Sequence, residues 1–155
     1  MNFRPFDLHS DPIYLEETVD PNILELNDKA VKAEAPIHVS ATAMKDADEE
    51  TIIIMGVLKT EFKIECGRCL DWLTWPIEVT DFTVELKKPF TPVVDLTPFI
   101  REDILLHLPF NAACKLEKGF RCPLSGKTYP PAKTNPASIA GKEVWQELDK
   151  LKIKE

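Results

Sequence analysis

The apolar positions of this chain fall into three strand-like runs and two helical runs, separated by turn chemistry. Pro36-Ile37-His38-Val39-Ser40-Ala41-Thr42-Ala43-Met44 alternates with a period of two, the spacing of a strand with one face in a core. Residues 51–64 begin with Thr51-Ile52-Ile53-Ile54, are rich in β-branched side chains, and alternate in their second half. Residues 72–86 alternate again, from Trp72 to Leu86. Between the last two runs lies Cys66-Gly67-Arg68-Cys69-Leu70-Asp71, a short knuckle in which Gly67 supplies permissive backbone. This order predicts a long antiparallel hairpin with the knuckle at its tip and Ile64 close to Leu70 across the turn. Trp72 and Trp75 are an odd number of residues apart, so one faces the core and the other solvent.

Upstream, Ile13, Leu15, Ile23, Leu24 and Leu26 anchor an acidic N-terminal segment, residues 1–33, onto the sheet, with Asp20-Pro21-Asn22 as a turn. Downstream, Pro89 and Pro92 cannot donate ladder hydrogen bonds and end the sheet. A helix is expected over residues 95–108, with Thr97 as N-cap and Pro98 at the first helical position. Phe99, Ile100, Asp103, Ile104 and His107 keep helical spacing, while Leu105, Leu106 and Leu108 make the segment apolar nearly all round. Such a helix should be mostly buried, and Pro109 ends it. Residues 110–136 carry Pro123, Pro130, Pro131 and Pro136 and form an irregular basic loop, a length that implies function, a metal tie or disorder. Val144, Trp145, Leu148 and Leu151 then predict a short amphipathic C-terminal helix over 137–152. The expected architecture is a single α+β domain, residues 1–155: a twisted antiparallel sheet over 36–86, a packed central helix and the C-terminal helix.

Composition narrows the class. A chain of 155 residues with 44% hydrophobic and 29% charged residues can bury one core. It contains no apolar run near the ~20 residues of a membrane span and no apolar leader region, so a cytoplasmic protein with reduced thiols is expected. A formal net charge of −7 argues against nonspecific nucleic-acid binding by the protein as a whole. The charge is unevenly spread. Residues 11–28 hold Asp11, Glu16, Glu17, Asp20, Glu25 and Asp28 without a Lys or Arg, and Asp46, Asp48, Glu49 and Glu50 follow. Residues 115–133 hold Lys115, Lys118, Arg121, Lys127 and Lys133 against Glu117 alone.

The candidate chemistry lies in the cysteines. Thiolates from Cys66, Cys69, Cys114 and Cys122 can form a tetrahedral structural zinc site. Cys66 and Cys69 have knuckle spacing, whereas the seven residues between Cys114 and Cys122 make a loop. The alternative is that Cys66 and Cys69 stay reduced and shape the turn. A redox role is disfavoured, because such motifs place the pair at a helix N-terminus and this pair lies between antiparallel strands. No enzyme and no small-molecule substrate are expected. His9, His38 and His107 are scattered, no phosphate loop or nucleophile elbow occurs, and Glu102 and Asp103 point apart on a helix. Arg68, beside Trp72 and Trp75, either contacts a phosphate or an unpaired base, or holds the loop or a carboxylate such as Asp71.

Order and spacing carry one further observation. Gly56-x-Leu58-x-Thr60, then Cys66-x-Arg68-Cys69-Leu70, then Val94-Asp95-Leu96 and Ile100-x-Glu102-x-Ile104-x-Leu106-x-Leu108-Pro109, and finally Cys114, Gly119 and Cys122-Pro123-x-x-Gly126 together resemble the YceD family, the large-subunit ribosomal RNA accumulation proteins. The ordered motifs span residues 50–126, and the resemblance extends more loosely over the whole chain. It implies a bacterial, noncatalytic ribosome biogenesis factor that promotes large-subunit (23S) ribosomal RNA accumulation or processing, binding precursor RNA or a ribosomal protein. The residues expected at RNA are Arg68, Lys115, Lys118, Arg121 and Lys127. The family's downstream element often reads C-P-x-C-G, and here Ser125 stands where its second cysteine would be. A serine hydroxyl stays protonated near neutral pH and ligates zinc poorly. The sequence therefore predicts little or no bound zinc and a sheet whose core, Ile52, Ile54, Phe62 and Phe82, holds without it. Two other readings stand beside this one: an acidic protein–protein adaptor that never touches RNA, and a small thiol or metal redox protein.

Overall fold

Two strands dominate. Thr51–Glu65 and Trp72–Lys87 pair antiparallel along nearly their whole lengths. They are β5 and β6 of an order that begins with β1 (Asn2–Phe3), β2 (Ile13–Val19), β3 (Val31–Ala33) and β4 (Ile37–Lys45), and ends with β7 (Val94–Asp95) and α1 (Thr97–Leu106). A computed structural model describes residues 1–9, 11–47 and 50–130. The chain forms two compact units, Met1–Lys115 and Leu116–Glu155, and all of these elements belong to the first. Among the described residues no helix is long and apolar enough to cross a membrane.

The main sheet has β2, β4, β5 and β3 as successive neighbours, and β6 also pairs with β5. β4 pairs antiparallel with β5, and its own outer neighbour is β2, part of the N-terminal segment. Alternation in the sequence becomes a two-faced sheet. Ile37, Val39, Ala41 and Ala43 of β4 are buried, as are Ile52, Ile54, Leu58, Phe62 and Ile64 of β5. Ile77, Val79, Phe82 and Val84 of β6 complete this inner face. Burying aliphatic and aromatic side chains of this size stabilises by roughly 1.5–3 kcal/mol each, so this face supplies most of the core. Trp75 is the inward member of the tryptophan pair and packs on the core. Trp72 is the outward one, with Lys32 Nζ 4.5 Å from its ring centroid.

The ladder breaks register once. Gly56 faces Phe82 and Leu58 faces Val79, so Val57 alone opposes Thr80 and Asp81. Two residues against one is a β-bulge, which bends the strand and strengthens the local twist. At the same point β4 crosses very close: a Cβ on Gly56 would lie 2.3 Å from the Ser40 carbonyl oxygen and 2.6 Å from the Ala41 Cα. Only a residue without a side chain fits there.

The first unit is mostly β, a curled antiparallel half-barrel with one short α-helix among the described residues, which corrects the expectation of an α+β domain with a packed central helix. Helix α1 meets the sheet at β6 and touches the Pro21–Leu24 turn. Ile100 and Ile104, one turn apart on the same face, are fully buried, whereas Leu106 is 74% exposed and Phe99 is partly exposed. The sheet's curl already encloses its own side chains, so one helical stripe suffices to close it. The helix also starts differently from expectation: Leu96 is the N-cap, and the Asp95 Oδ1 accepts from the Thr97 N–H at 2.9 Å. The helix expected over 137–152 lies outside the described residues.

The close approach at Gly56 makes a sharp prediction. Gly56→Ala should destabilise the chain by at least about 1–3 kcal/mol, because the clash is with backbone that cannot rotate away. Urea denaturation measures this, and an unchanged midpoint would show that β4 can move aside.

Candidate metal centre

The hairpin tip spans residues 66–71. The Cys66 N–H donates to the Asp71 carbonyl at 2.9 Å, and the Leu70 N–H donates back to the Cys66 carbonyl at 2.9 Å. Leu70 takes a left-handed backbone, φ 65°, a conformation costing about 1–2 kcal/mol for a residue with a Cβ. The tip is thus longer than the minimal hairpin expected: Ile64 pairs with Leu73, not with Leu70. The knuckle prediction itself holds, since residues 66–71 form a turn between antiparallel strands and not part of a helix.

Three contacts tie this tip to the segment that follows α1. The Gly67 N–H donates to the Ala112 carbonyl at 2.9 Å. The Arg68 guanidinium donates from Nη1 to the Cys114 carbonyl at 2.9 Å, and the Cys114 N–H donates to the Cys66 sulfur at 3.3 Å. Arg68 therefore holds the loop, although its partner is a carbonyl and not Asp71. The consequence is a cluster: the Sγ atoms of Cys66, Cys69 and Cys114 all lie within 4.8 Å of one another. Cys66 and Cys114 are buried and Cys69 is half-buried. No disulfide joins them. Among the described residues no further His, Cys, Asp or Glu joins the group.

The electrostatics favour thiolate. Burial alone raises the Cys66 pKa, but backbone N–H groups of Cys114, Cys69 and Arg68 and the Cys69 side chain outweigh it, lowering the value from 9.0 to about 7. Three convergent sulfurs, one of them readily ionised, are the donor set of a soft metal ion.

Cys122, the fourth cysteine singled out from sequence, lies in the second unit. It is buried and heads a turn of its own. The Cys122 N–H donates to the Lys127 carbonyl at 2.8 Å, the Gly126 N–H donates to the Cys122 carbonyl at 3.0 Å, and the Ser125 N–H donates to the Cys122 sulfur at 3.4 Å. Gly126 is left-handed, φ 69°, in the place that Leu70 takes in the first turn. The two turns share their hydrogen-bond pattern, with Ser125 standing where Cys69 stands. Around Cys122 the chain thus makes a knuckle of its own where a plain loop was expected, while residues 110–130 hold turns and isolated bridges and no strand or helix. Short bridges pair Arg121 with Glu117 and with Thr128, and the Tyr129 N–H donates to the Phe120 carbonyl at 2.8 Å.

Lys115, Lys118, Arg121 and Lys127 are all exposed, as expected for cations available to a ligand. Phe120, which sequence reasoning passed over, is 49% exposed between Lys118 and Arg121 and has φ 60°. Its signal in the sequence was an aromatic residue after Gly119 inside a basic run. The histidines form no shared site: His38 meets Thr18, and His107 donates from Nδ1 to the Asp103 carbonyl.

Because the folded pKa of Cys66 lies below its unfolded value, the stability it contributes is complete above about pH 9 and is lost as pH falls through 7. In the reduced, metal-free chain, thiolate absorbance should show one midpoint near 7 that Cys66→Ala removes. Midpoints near 9 for every thiol would mean that the backbone donors do not stabilise the anion.

The chain is similar to a Bacillus subtilis (strain 168) protein named "Uncharacterized protein YlbN", with 25% identity over 148 residues, 83% of each chain being covered. No family model matches the chain, and no solved structure matches it.

Proposed function

We propose that this chain is a noncatalytic factor in the accumulation or processing of large-subunit ribosomal RNA, and that it meets precursor RNA through the basic turn of its second unit. Two lines support the reading. One is the ordered resemblance to the YceD family over residues 50–126. The other, which carries the choice of RNA as partner, is the exposed Phe120 between the exposed cations Lys118 and Arg121, with Lys127 in the same turn. Unpaired bases stack on exposed aromatic rings, and neighbouring cations hold the phosphates. A left-handed backbone at a bulky aromatic residue costs free energy without adding to a core. That combination fits a recognition loop better than a structural one. Arg68 belongs to the first unit, where its guanidinium donates to the Cys114 carbonyl.

The adaptor reading has its own observation. β2 pairs with β4 and presents Tyr14, 82% exposed, beside the exposed Glu16 and Glu17. An acidic strand with one neighbour suits a basic ribosomal protein. The two readings separate in one experiment.

Binding of the full chain to large-subunit precursor RNA fragments should fall steeply with salt. Reversing Lys115, Lys118 and Arg121 together to Glu should weaken it and flatten the salt slope by up to about 2, since fewer counterions are released. Unchanged affinity and slope would count against RNA contact at this turn. Salt-sensitive binding to a ribosomal protein alone, lost on Glu16→Lys with Glu17→Lys, would favour the adaptor.

A further inference from the structure

We propose that Cys66, Cys69 and Cys114 hold one soft divalent metal ion of the zinc class, which staples the hairpin tip to the segment following α1. This goes beyond the RNA reading and does not rest on it.

Zinc bonds sulfur at about 2.3 Å, so tetrahedral ligands sit about 3.8 Å apart. The three Sγ atoms already lie within 4.8 Å of one another, and a contraction of about an ångström, within side-chain rotation, would complete the fit. Three sulfurs brought this close in an unligated core would gain little, because a thiol is a weak hydrogen-bond partner. A metal ion explains the convergence directly.

The surroundings fit a metal-bound thiolate. A ligand sulfur carrying negative charge is stabilised by N–H donors, and the Cys114 N–H points at Cys66 Sγ from 3.3 Å. The tip is held before any ion arrives, by Gly67 to Ala112 and by Arg68 to Cys114. Charge is balanced as well. Three thiolates around a divalent ion leave −1, and the Arg68 guanidinium in the same turn supplies +1. Arg68 is thus a positioning residue: it holds the Cys114 backbone and offsets the centre's charge without touching the ion.

The departure at Ser125, which made the sequence predict little or no zinc, lies outside this group. The first unit gathers three cysteine sulfurs without it. The sequence distance spanned is also informative. Cys114 is 48 residues from Cys66, and the ion joins chain that the sheet ladder leaves unconnected. Releasing it should loosen residues 108–115 and the tip while leaving the β5–β6 core folded, because Phe62, Phe82 and Ile54 are buried independently of it.

The test uses the full chain, purified under reducing conditions. Elemental analysis should find one ion per chain. After removal with a chelator, Co2+ added to the reduced chain should give the sulfur-to-cobalt charge-transfer band that only thiolate ligands produce. Cys69→Ser changes the half-buried sulfur and leaves the sheet core untouched. Its far-ultraviolet dichroism should match the parent while its Co2+ affinity falls by more than the ~10–100-fold typical of losing an outer-shell partner. Arg68→Gln should weaken affinity within that ~10–100-fold range. Hydrogen exchange in the metal-free chain should rise at residues 66–71 and 108–115 and not in β5 or β6. A folded, reduced chain with no ion and no charge-transfer band overturns the proposal. So does a Cys69→Ser variant with unaltered Co2+ affinity, or a disulfide between two of these cysteines in chain trapped with a thiol-blocking reagent.

Discussion

The backbone ladder between β5 and β6 is the constraint on which everything else depends. It runs from Thr51 opposite Lys87 to Glu65 opposite Trp72, interrupted only at the bulge beside Gly56. Each rung adds a net contribution of about 1 kcal/mol or less, but the sum fixes two long strands in one register. A one-residue slip would turn Phe62, Phe82 and their neighbours to solvent, so the core and the ladder enforce each other. The tip is consequently not a free loop. Cys66 immediately follows the last paired residue of β5, and its position is set by strand geometry.

The bulge converts a flat ribbon into a curled one. Without Gly56, β4 could not approach β5 at Ala41, and the sheet could not fold over its own inner face. Small residues at Ala41 and Ala43 serve the same closeness from the other strand. Once the sheet has curled, the remaining opening is narrow, and Leu96, Ile100 and Ile104 fill it. That is why a helix with apolar residues on nearly every side buries only one stripe. Its leftover leucine, Leu106, faces outward.

The chemistry follows from the same arrangement. A rigid tip can receive a distant segment accurately, and residues 112–114 dock on it through the Gly67 N–H, the Arg68 guanidinium and the Cys66 sulfur. The docked segment contributes only backbone groups to these contacts, the Ala112 and Cys114 carbonyls and the Cys114 N–H, so nothing in its own side chains announces that Cys114 comes to Cys66 and Cys69. The charged residues divide in a comparable way. Acidic side chains line β2 of the first unit, while the cations Lys118, Arg121 and Lys127 cluster in one turn of the second.

Local pattern determined the three long strands, the turn at Cys66–Asp71 and the inward-facing residues. Period-two alternation reports which face is buried wherever one face is wet, and Gly67 and the cysteine spacing mark a turn by themselves. Helix α1 was legible in place but not in burial, because periodicity says which residues share a face and not how much sheet there is to cover them. The pairing of β2 with β4 and of β3 with β5 was beyond the sequence, since short edge strands take their structure from a neighbour. The cysteine spacing suggested a site but placed Cys114 and Cys122 in one undifferentiated loop. Only the tertiary structure seated Cys114 beside Cys66 and gave Cys122 a turn of its own. In both, most of the hydrogen-bonding groups are backbone N–H and C=O, which leave no trace in the order of side chains, and the side chains that take part, Arg68, Cys66 and Cys122, do not name their partners.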